Sequence, residues 1–332
     1  MGRPTGLEPA PPRFTILCSN QLSYDRRKRG RSTFFGGEKA VKSGVGCRLE
    51  APGAAPRSRA RHLRCRLRRQ SMGHMPRLRV VTFNIAHGRG LTPIQGFTSP
   101  RKTRVNLRRI AALISRLEPD VVAMQEIDEN SRWSGSFDQL DYLRVYAGFP
   151  HAVFGINNRR SGMINLSYGN ALLTRHPILN SETVVFGRRK VGEKGFLFAE
   201  LDVGGCRVPI VNLHLNSSSR ALRLHQLSHL TEWLRENRRT RAATHWAVPP
   251  IICGDFNNSS TRDDATAALW SHLSHYGDYL VRPQTGGTFP SPLPRRMLDF
   301  VFLPAVCRDV QCRVLRTLLS DHCPVLVEFS FG

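Results

Sequence analysis

No stretch of the 332-residue sequence is apolar for long enough to cross a bilayer, and the short apolar run at 14–18 falls well under the h-region of a secretory signal. Neither a transmembrane anchor nor a secretory leader is therefore expected. The 8 cysteines form no CxxC pair and no zinc-like spacing, so a thiolate metal centre is not expected either. Cys206, Cys253 and Cys323 lie inside apolar, strand-like runs, where free buried thiols are the ordinary outcome. This favours a reducing compartment, and a cytoplasmic location is the expectation. Acidic residues are scarce: 25 Asp and Glu against 49 Lys and Arg leave a formal net charge of +24. Such an excess attracts nucleic acid or anionic surfaces and carries no information about fold. No internal repeat is visible.

The positive charge is uneven. Residues 1–74 hold 17 Lys and Arg and 4 Asp and Glu, a net of +13, which is over half the total in under a quarter of the length. They are rich in Pro, Gly and Arg and lack sustained apolar periodicity, so stretches such as 26–29 and 64–69 are predicted to be disordered. Such a segment would serve as a nucleic-acid-binding arm or a targeting peptide. Its opening residues, 2–10 and 18–24, also resemble a segment that recurs in over-extended gene predictions, which would put the natural start at Met72 or Met75. The expected organisation is a basic tail over 1–74 and one folded domain over 75–332. Any nucleic-acid affinity is expected to come largely from the tail.

After Met75 the pattern changes. Leu78-Arg79-Val80-Val81-Thr82-Phe83 is β-branched and apolar, which predicts a strand. Residues 87–102 are rich in Gly and Pro and read as a loop. Leu107, Ile110, Ala111, Ile114 and Leu117 then recur at helical spacing, and Pro119 ends that helix. Further strands are predicted at 121–127, 169–174, 196–202, 207–214, 249–254, 298–303 and 323–330, with an amphipathic helix over 219–236. Strands dominate and helices fall between them, so the class is α/β, a pattern that admits two packed sheets.

Polar residues collect at the ends of these strands. Asn84 follows the first and Glu126 closes the second. His214 ends another, Asp255 and Asn257 follow Ile251-Ile252-Cys253-Gly254, Asp299 opens a strand, and Asp321-His322 precedes the last. Charged residues rarely adjoin buried apolar runs unless they are paired or metal-bound. Oxygen ligands without a thiolate cluster suit a hard cation such as Mg²⁺ better than zinc.

Six segments, in order, carry a resemblance: Thr82-Phe83-Asn84; Gln125-Glu126; Gly169-Asn170-Ala171-Leu172-Leu173-Thr174-Arg175; His214-Leu215; Gly254-Asp255-Phe256-Asn257; and Ser320-Asp321-His322-Cys323-Pro324, preceded by Leu298-Asp299-Phe300. Together they resemble the motifs of the endonuclease/exonuclease/phosphatase superfamily, which includes pancreatic deoxyribonuclease, apurinic/apyrimidinic endonucleases, inositol polyphosphate phosphatases and bacterial sphingomyelinases. The likeness spans about 78–332. It is strongest to a bacterial subgroup with His-Gly after the first motif, here His87-Gly88, and an Arg-x-Ser-Gly-x-x-Asp-Gln stretch, here Arg132 to Gln139.

The resemblance implies a four-layer α/β/β/α sandwich, deoxyribonuclease-like, with two mixed β-sheets face to face and helices outside. It implies phosphate-ester hydrolysis with Mg²⁺ or Mn²⁺. Glu126 would be the main metal ligand with Asn84 beside it supporting the metal or a phosphate oxygen, and Asp321 would complete a second metal position or hold the first. Asp255 would orient or deprotonate the attacking water. Asn257 would bind phosphoryl oxygens, and His322, held by Asp299, would contact the phosphate. His214 would give a second donor to phosphate or leaving group, and Asn170 would line the substrate site. Arg223 and Gln226 match a family Arg-x-x-Gln and are expected to brace the site loop. His151, His176, His225 and His229 sit in no motif and are taken as structural or surface residues. The substrate is left open among nucleic acids, phospholipid head groups and small phosphate esters, to be chosen by loops 87–104, 128–141, 156–168 and 284–297. Arg159-Arg160 and Arg295-Arg296 on two of these are candidate phosphate grips, with solvated loop charge, the commoner case, as the alternative. Two departures count against abasic-site cleavage: Ala86 stands where those nucleases have an acidic residue, and Leu213-His214-Leu215 replaces their Tyr-containing motif. The rival reading is a non-catalytic nucleic-acid-binding protein that uses the basic tail.

Overall fold

The apolar runs read above as strands become the interior strands of two sheets. The structure is a computed structural model that describes residues 77–162, 165–187, 193–238, 246, 248–258, 264–275 and 277–332; the expected tail at 1–74 lies outside these described residues. In chain order they form β1 (Arg77–Asn84), α1 (Pro100–Leu117), β2 (Val121–Asp128), α2 (Gln139–Ala147), β3 (His151–Arg160), β4 (Leu166–Thr174), β5 (Ile178–Val185), β6 (Gly195–Val203), β7 (Cys206–His214), α3 (Arg220–Asn237), β8 (Ile251–Asp255), α4 (Ala265–Ser274), β9 (Tyr279–Arg282), β10 (Asp299–Pro304), β11 (Cys307–Val314) and β12 (Val325–Phe331).

The sheets have six strands each, in the orders β11-β12-β1-β2-β4-β3 and β5-β6-β7-β8-β10-β9. Both are mixed: β1 runs parallel to β2 and β7 parallel to β8, while the other pairs are antiparallel. The two-residue period of a strand gives each sheet two apolar faces. Leu78, Val80, Val121, Ala123, Val325 and Val327 of the first sheet meet Leu197, Ala199, Ile210, Ile251, Cys253 and Val301 of the second in a shared inner core. On the outer face of the first sheet, Val81, Phe83, Val122 and Met124 pack under Leu107, Ile110 and Ile114 of α1 and Leu140 and Leu143 of α2. On the outer face of the second, Phe198, Val211 and Phe302 pack under Leu230 and Trp233 of α3 and Leu269 of α4. The layers are helix, sheet, sheet, helix.

Helix starts follow capping chemistry. Ser99, Asp138 and Ser219 each accept a backbone N–H in the first turn of α1, α2 and α3, and Asp264 does so for α4. Pro100 occupies the first turn of α1, where its missing N–H costs nothing, so the helix starts in what reads from sequence as loop. Among the described cysteines, Cys253, Cys307 and Cys323 are buried. No helix among the described residues is long and apolar enough to cross a membrane.

Candidate active site

At one end of the sandwich the inward side chains turn from apolar to polar on strand after strand. The inward series reads Val80, Thr82, Asn84 on β1; Val121, Ala123, Gln125 on β2; Val208, Ile210, Asn212, His214 on β7; Ile251, Cys253, Asp255 on β8; and Leu303, Val301, Asp299 on β10. Strand register aligns these ends. His214 pairs with Asp255 across β7–β8, Asp255 with Asp299 across β8–β10, and Asn84 with Gln125 across β1–β2.

Two backbone features aim the carboxylates. Glu126 sits in a bulge of β2 between Met124 and Ile127, with φ +52°, which turns it out of the pleat toward the site. Gly254, at φ +141°, precedes Asp255; a Cβ there would lie 1.9 Å from the carbonyl oxygen of Leu213, so only glycine lets β8 approach β7 closely enough.

The side chains form one connected set. The Asn84 amide donates to Asp255 Oδ2 at 3.0 Å, and the Asn257 N–H donates to Asp255 Oδ1 at 2.9 Å. His214 Nε2 lies 3.4 Å from Asp255 Oδ2 and 3.8 Å from Glu126 Oε1. His322 Nδ1 is 2.9 Å from Asp299 Oδ2, and its Nε2 is 3.8 Å from Asp255. Burial raises the Asp255 carboxyl to about 7; neighbouring Asp299 adds to this, while His322, Asn84 and Asn257 oppose it. Burial alone would push the His322 ring down, but Asp299 and Asp255 outweigh it and raise it to about 10. His214 is pushed well below its ordinary value by burial and by the Lys194 ammonium, so its ring is neutral. Lys194 Nζ donates to His214 Nδ1 at 3.3 Å, which leaves the His214 proton on Nε2, facing the two carboxylates.

The sequence reading missed several participants. Lys194 also stands 3.4 Å from Glu126 Oε1. His87 faces Glu126 at 3.6 Å through Nε2 and holds Asp128 at 3.1 Å through Nδ1. Its ring packs edge-on against Trp133 and Tyr168, with centroids 5.2 and 5.5 Å away. The Arg132–Gln139 stretch supports this loop: Trp133 donates to Asp128, and Gln139 accepts from the Asp128 N–H and donates to the His87 carbonyl. Burial would lift the Glu126 carboxyl, but Lys194, His87, His214 and Arg89 outweigh it and hold it well below the usual carboxylate range.

Other expected residues lie as follows. Arg223 grips Asp264 and Gln226 accepts the Asn216 N–H, bracing the loop after β7. Asn257 donates its amide to the Leu215 carbonyl at 2.9 Å. Asn170 is fully buried, and its amide is committed to the carbonyls of Gly195 and Asn212. Asn212 in turn bridges the sheets: it donates to the Met124 and Ala171 carbonyls and accepts from Gln125. Arg159 pairs with Glu129, and Arg296 lies over Phe289. Asp321 pairs with Arg89 at 2.7 Å.

Two donor sets bear on a metal. Atoms of Asp255, Asp299 and His322 lie within 4.8 Å of one another, but Asp299 Oδ2 is bonded to His322 Nδ1, and Asp255 already accepts from the Asn84 amide and the Asn257 N–H. Glu126 fits better. It is a partly open anion whose nearest described partner is 3.4 Å away, so its lone pairs are free for a short bond. Asn84 Oδ1, which accepts the Ala86 N–H at 3.0 Å, keeps a second lone pair as a neutral ligand on the adjacent strand. That is the sparse oxygen set that Mg²⁺ takes, with water and substrate completing the shell.

Two mixed six-stranded sheets with helices outside are the deoxyribonuclease-like fold. The chain belongs to the endonuclease/exonuclease/phosphatase family, whose sequence model matches residues 81–322 and whose members are phosphoric ester hydrolases. Among solved structures it is similar to an endonuclease/exonuclease/phosphatase from Beutenbergia cavernae, with TM-score 0.60 and 23% identity over 77% of this chain and 72% of that one. It is similar also to the mannosyl-6-phosphatase of Bacteroides thetaiotaomicron, with TM-score 0.57 and 17% identity over 76% of this chain and 100% of that one. Human sphingomyelin phosphodiesterase 3 is 24% identical over 178 residues, which is 48% of this chain but only 27% of that relative's length.

Proposed function

We propose that the chain hydrolyses phosphate esters with a divalent ion, Mg²⁺ or Mn²⁺, held by Glu126 and Asn84. The observation that supports this is the register that aligns His214, Asp255 and Asp299 on three adjacent strands, with Asn84 of the facing sheet bonded to Asp255. When bound, the ion supplies charge that offsets the build-up on the phosphoryl oxygens. Asp255 takes the proton of the attacking water; a carboxyl near neutrality combines an ionised fraction with real proton affinity. His322, charged and fixed by Asp299, donates from Nε2 to a phosphoryl oxygen. Neutral His214 offers its Nε2 proton to the phosphate or the leaving oxygen. Asn257 supplies its second amide hydrogen to the phosphoryl group. Asn170 acts through the strand carbonyls it holds. Asp321 is the further carboxylate available to the metal, on condition that Arg89 releases it.

A chromogenic phosphodiester and a chromogenic phosphomonoester, each assayed with excess EDTA and then with Mg²⁺ or Mn²⁺ restored, test the reading. Activity should vanish in chelator and return with metal. Full activity in EDTA at near-zero metal content would refute the metal-dependent mechanism.

A further inference from the structure

α1 carries six cations, Arg101, Lys102, Arg104, Arg108, Arg109 and Arg116, and no carboxylate. A solvated surface helix ordinarily intersperses Glu or Asp at i,i+4 to Lys or Arg. Here like charges repel along the helix, and Arg101 and Lys102 sit in its first turn against the positive end of the macrodipole. This charge pattern works against the helix that bears it, which points to an anionic partner. Arg104 and Arg108 are occupied, lying over the rings of Phe137 and Tyr146 at 4.4 and 4.5 Å. Lys102, Arg109 and Arg116 form no ion pair with any described residue. They recur every seventh residue, which places them on one face about 10.5 Å apart, a line of about 21 Å.

This line faces a groove. One cavity of about 670 Å³ is lined by Arg89, Lys102, Arg109 and Leu318, and a second of about 740 Å³ by Arg109, Arg116, Tyr146 and Leu319. Arg109 borders both, and neither lining contains a carboxylate. At its inner end Arg89 pairs with Asp321, the neighbour of His322. Leu318 is 61% exposed and Tyr146 45%, so apolar surface stands beside the cations. We propose that this groove docks a single nucleic-acid strand, phosphates on the Lys102–Arg109–Arg116 line and bases against Leu318 and the part of Tyr146 that Arg108 and Tyr142 leave exposed, with the strand running to the active site. A concave track with regularly spaced cations suits a flexible polyanion; a bilayer needs a protruding apolar face. The proposal builds on the phosphoesterase reading by naming a substrate class, but strand binding is measured without turnover.

The experiment uses the full chain in EDTA and a fluorescein-labelled single-stranded DNA oligonucleotide, with anisotropy recorded from about 50 to about 200 mM salt. Each phosphate contact on a single strand contributes about 0.7 to the slope of log K against log salt. The K102Q/R109Q/R116Q variant should therefore lose about 2 from the slope and bind at least ~10-fold more weakly at low salt, and R109Q alone should lose about 0.7. K102R/R109K/R116K should keep the wild-type slope. Removing three cations elsewhere, R235Q/R308Q/R313Q, should change the slope by much less. The proposal is overturned if the two neutralising triples act equally, if the first leaves the slope unchanged, if the wild type does not bind the oligonucleotide, or if the line of cations governs binding to phosphatidylserine vesicles instead. Hydrolysis of a small chromogenic phosphodiester by the variants in Mg²⁺ should match wild type. Its absence in every protein, with strand binding intact, would count against the phosphoesterase reading alone.

Discussion

Asp299→Asn isolates the charge that fixes His322. Asp299 is fully buried, its Oδ2 lies 2.9 Å from His322 Nδ1, and its Oδ1 has no partner among the described residues. The amide is isosteric: its oxygen still accepts from Nδ1–H, and its NH₂ takes the place of Oδ1 without displacing a bond. Only the charge is lost. The rise of His322 from 6.5 to about 10 corresponds to roughly 5 kcal/mol of preference for the charged ring, shared by Asp299 and Asp255 against burial. Removing the nearer anion should lower the ring by about two pH units, roughly 3 kcal/mol. The active form needs Asp255 ionised and His322 protonated, so kcat/KM in the wild type should rise through about pH 7 and fall near pH 10. In the variant the alkaline limb should move toward neutrality. The acid limb should also move down, because Asp299 helps to raise Asp255. That drop leaves about half of the variant rings charged at pH 8, so kcat should fall about 2-fold there and the loss should grow to about 50-fold by pH 10. Stability carries the same sign. His322 is more basic folded than unfolded, so its contribution is complete below about 6.5 and is lost as pH rises through about 10. The variant should thus be less stable than wild type at neutral pH and converge with it above about pH 10. The pH–rate profile and an NMR titration of the His322 ring measure both effects. An alkaline limb that stays in place while kcat falls would show that Asp299 acts by packing alone.

Asp255→Asn and His322→Ala should each lower kcat by at least ~100-fold, Asp255→Asn with the thermal midpoint within a few degrees of wild type and His322→Ala with a lowered midpoint because Asp299 is left buried and unpaired; near-normal kcat removes that residue from the mechanism. Glu126→Gln should abolish tight Mn²⁺ binding by calorimetry, since it removes the charged oxygens of the proposed Glu126–Asn84 pair; unchanged affinity would place the metal elsewhere. Asn212→Leu should cost about 2–4 kcal/mol, because the inter-sheet bridge to Gln125, Met124 and Ala171 is lost in a fully buried place; denaturant unfolding with no shift in midpoint would contradict this. A chain beginning at Met75 retains every described strand, the first of which starts at Arg77, and should keep its thermal midpoint and its kcat/KM on a small substrate. A midpoint lower by many degrees would show that residues before Met75 pack on the domain.

The eight strands legible in the sequence, β1, β2, β4, β6, β7, β8, β10 and β12, all lie inside the sheets. Each is flanked by strands on both sides and covered on both faces, so it reads as a continuous apolar run. The four that escaped notice, β3, β5, β9 and β11, are the four sheet edges. β5 (Ile-Leu-Asn-Ser-Glu-Thr-Val-Val) and β11 (Cys-Arg-Asp-Val-Gln-Cys-Arg-Val) are largely exposed, and their polar composition resembles loop. The site divides in the same way. Asn84, His214, Asp255 and Asp299 are visible because each ends or opens an apolar run, a local signal. Lys194 lies in no motif, and the partners that charge the site are far apart along the chain: His87 meets Asp128 across 41 residues and Arg89 meets Asp321 across 232. Nothing in local composition encodes those meetings. They arise from strand register and the bulge at Glu126, which bring distant carboxylates and cations within a few ångströms in a place sheltered from water, and at that separation their charges set one another's protonation.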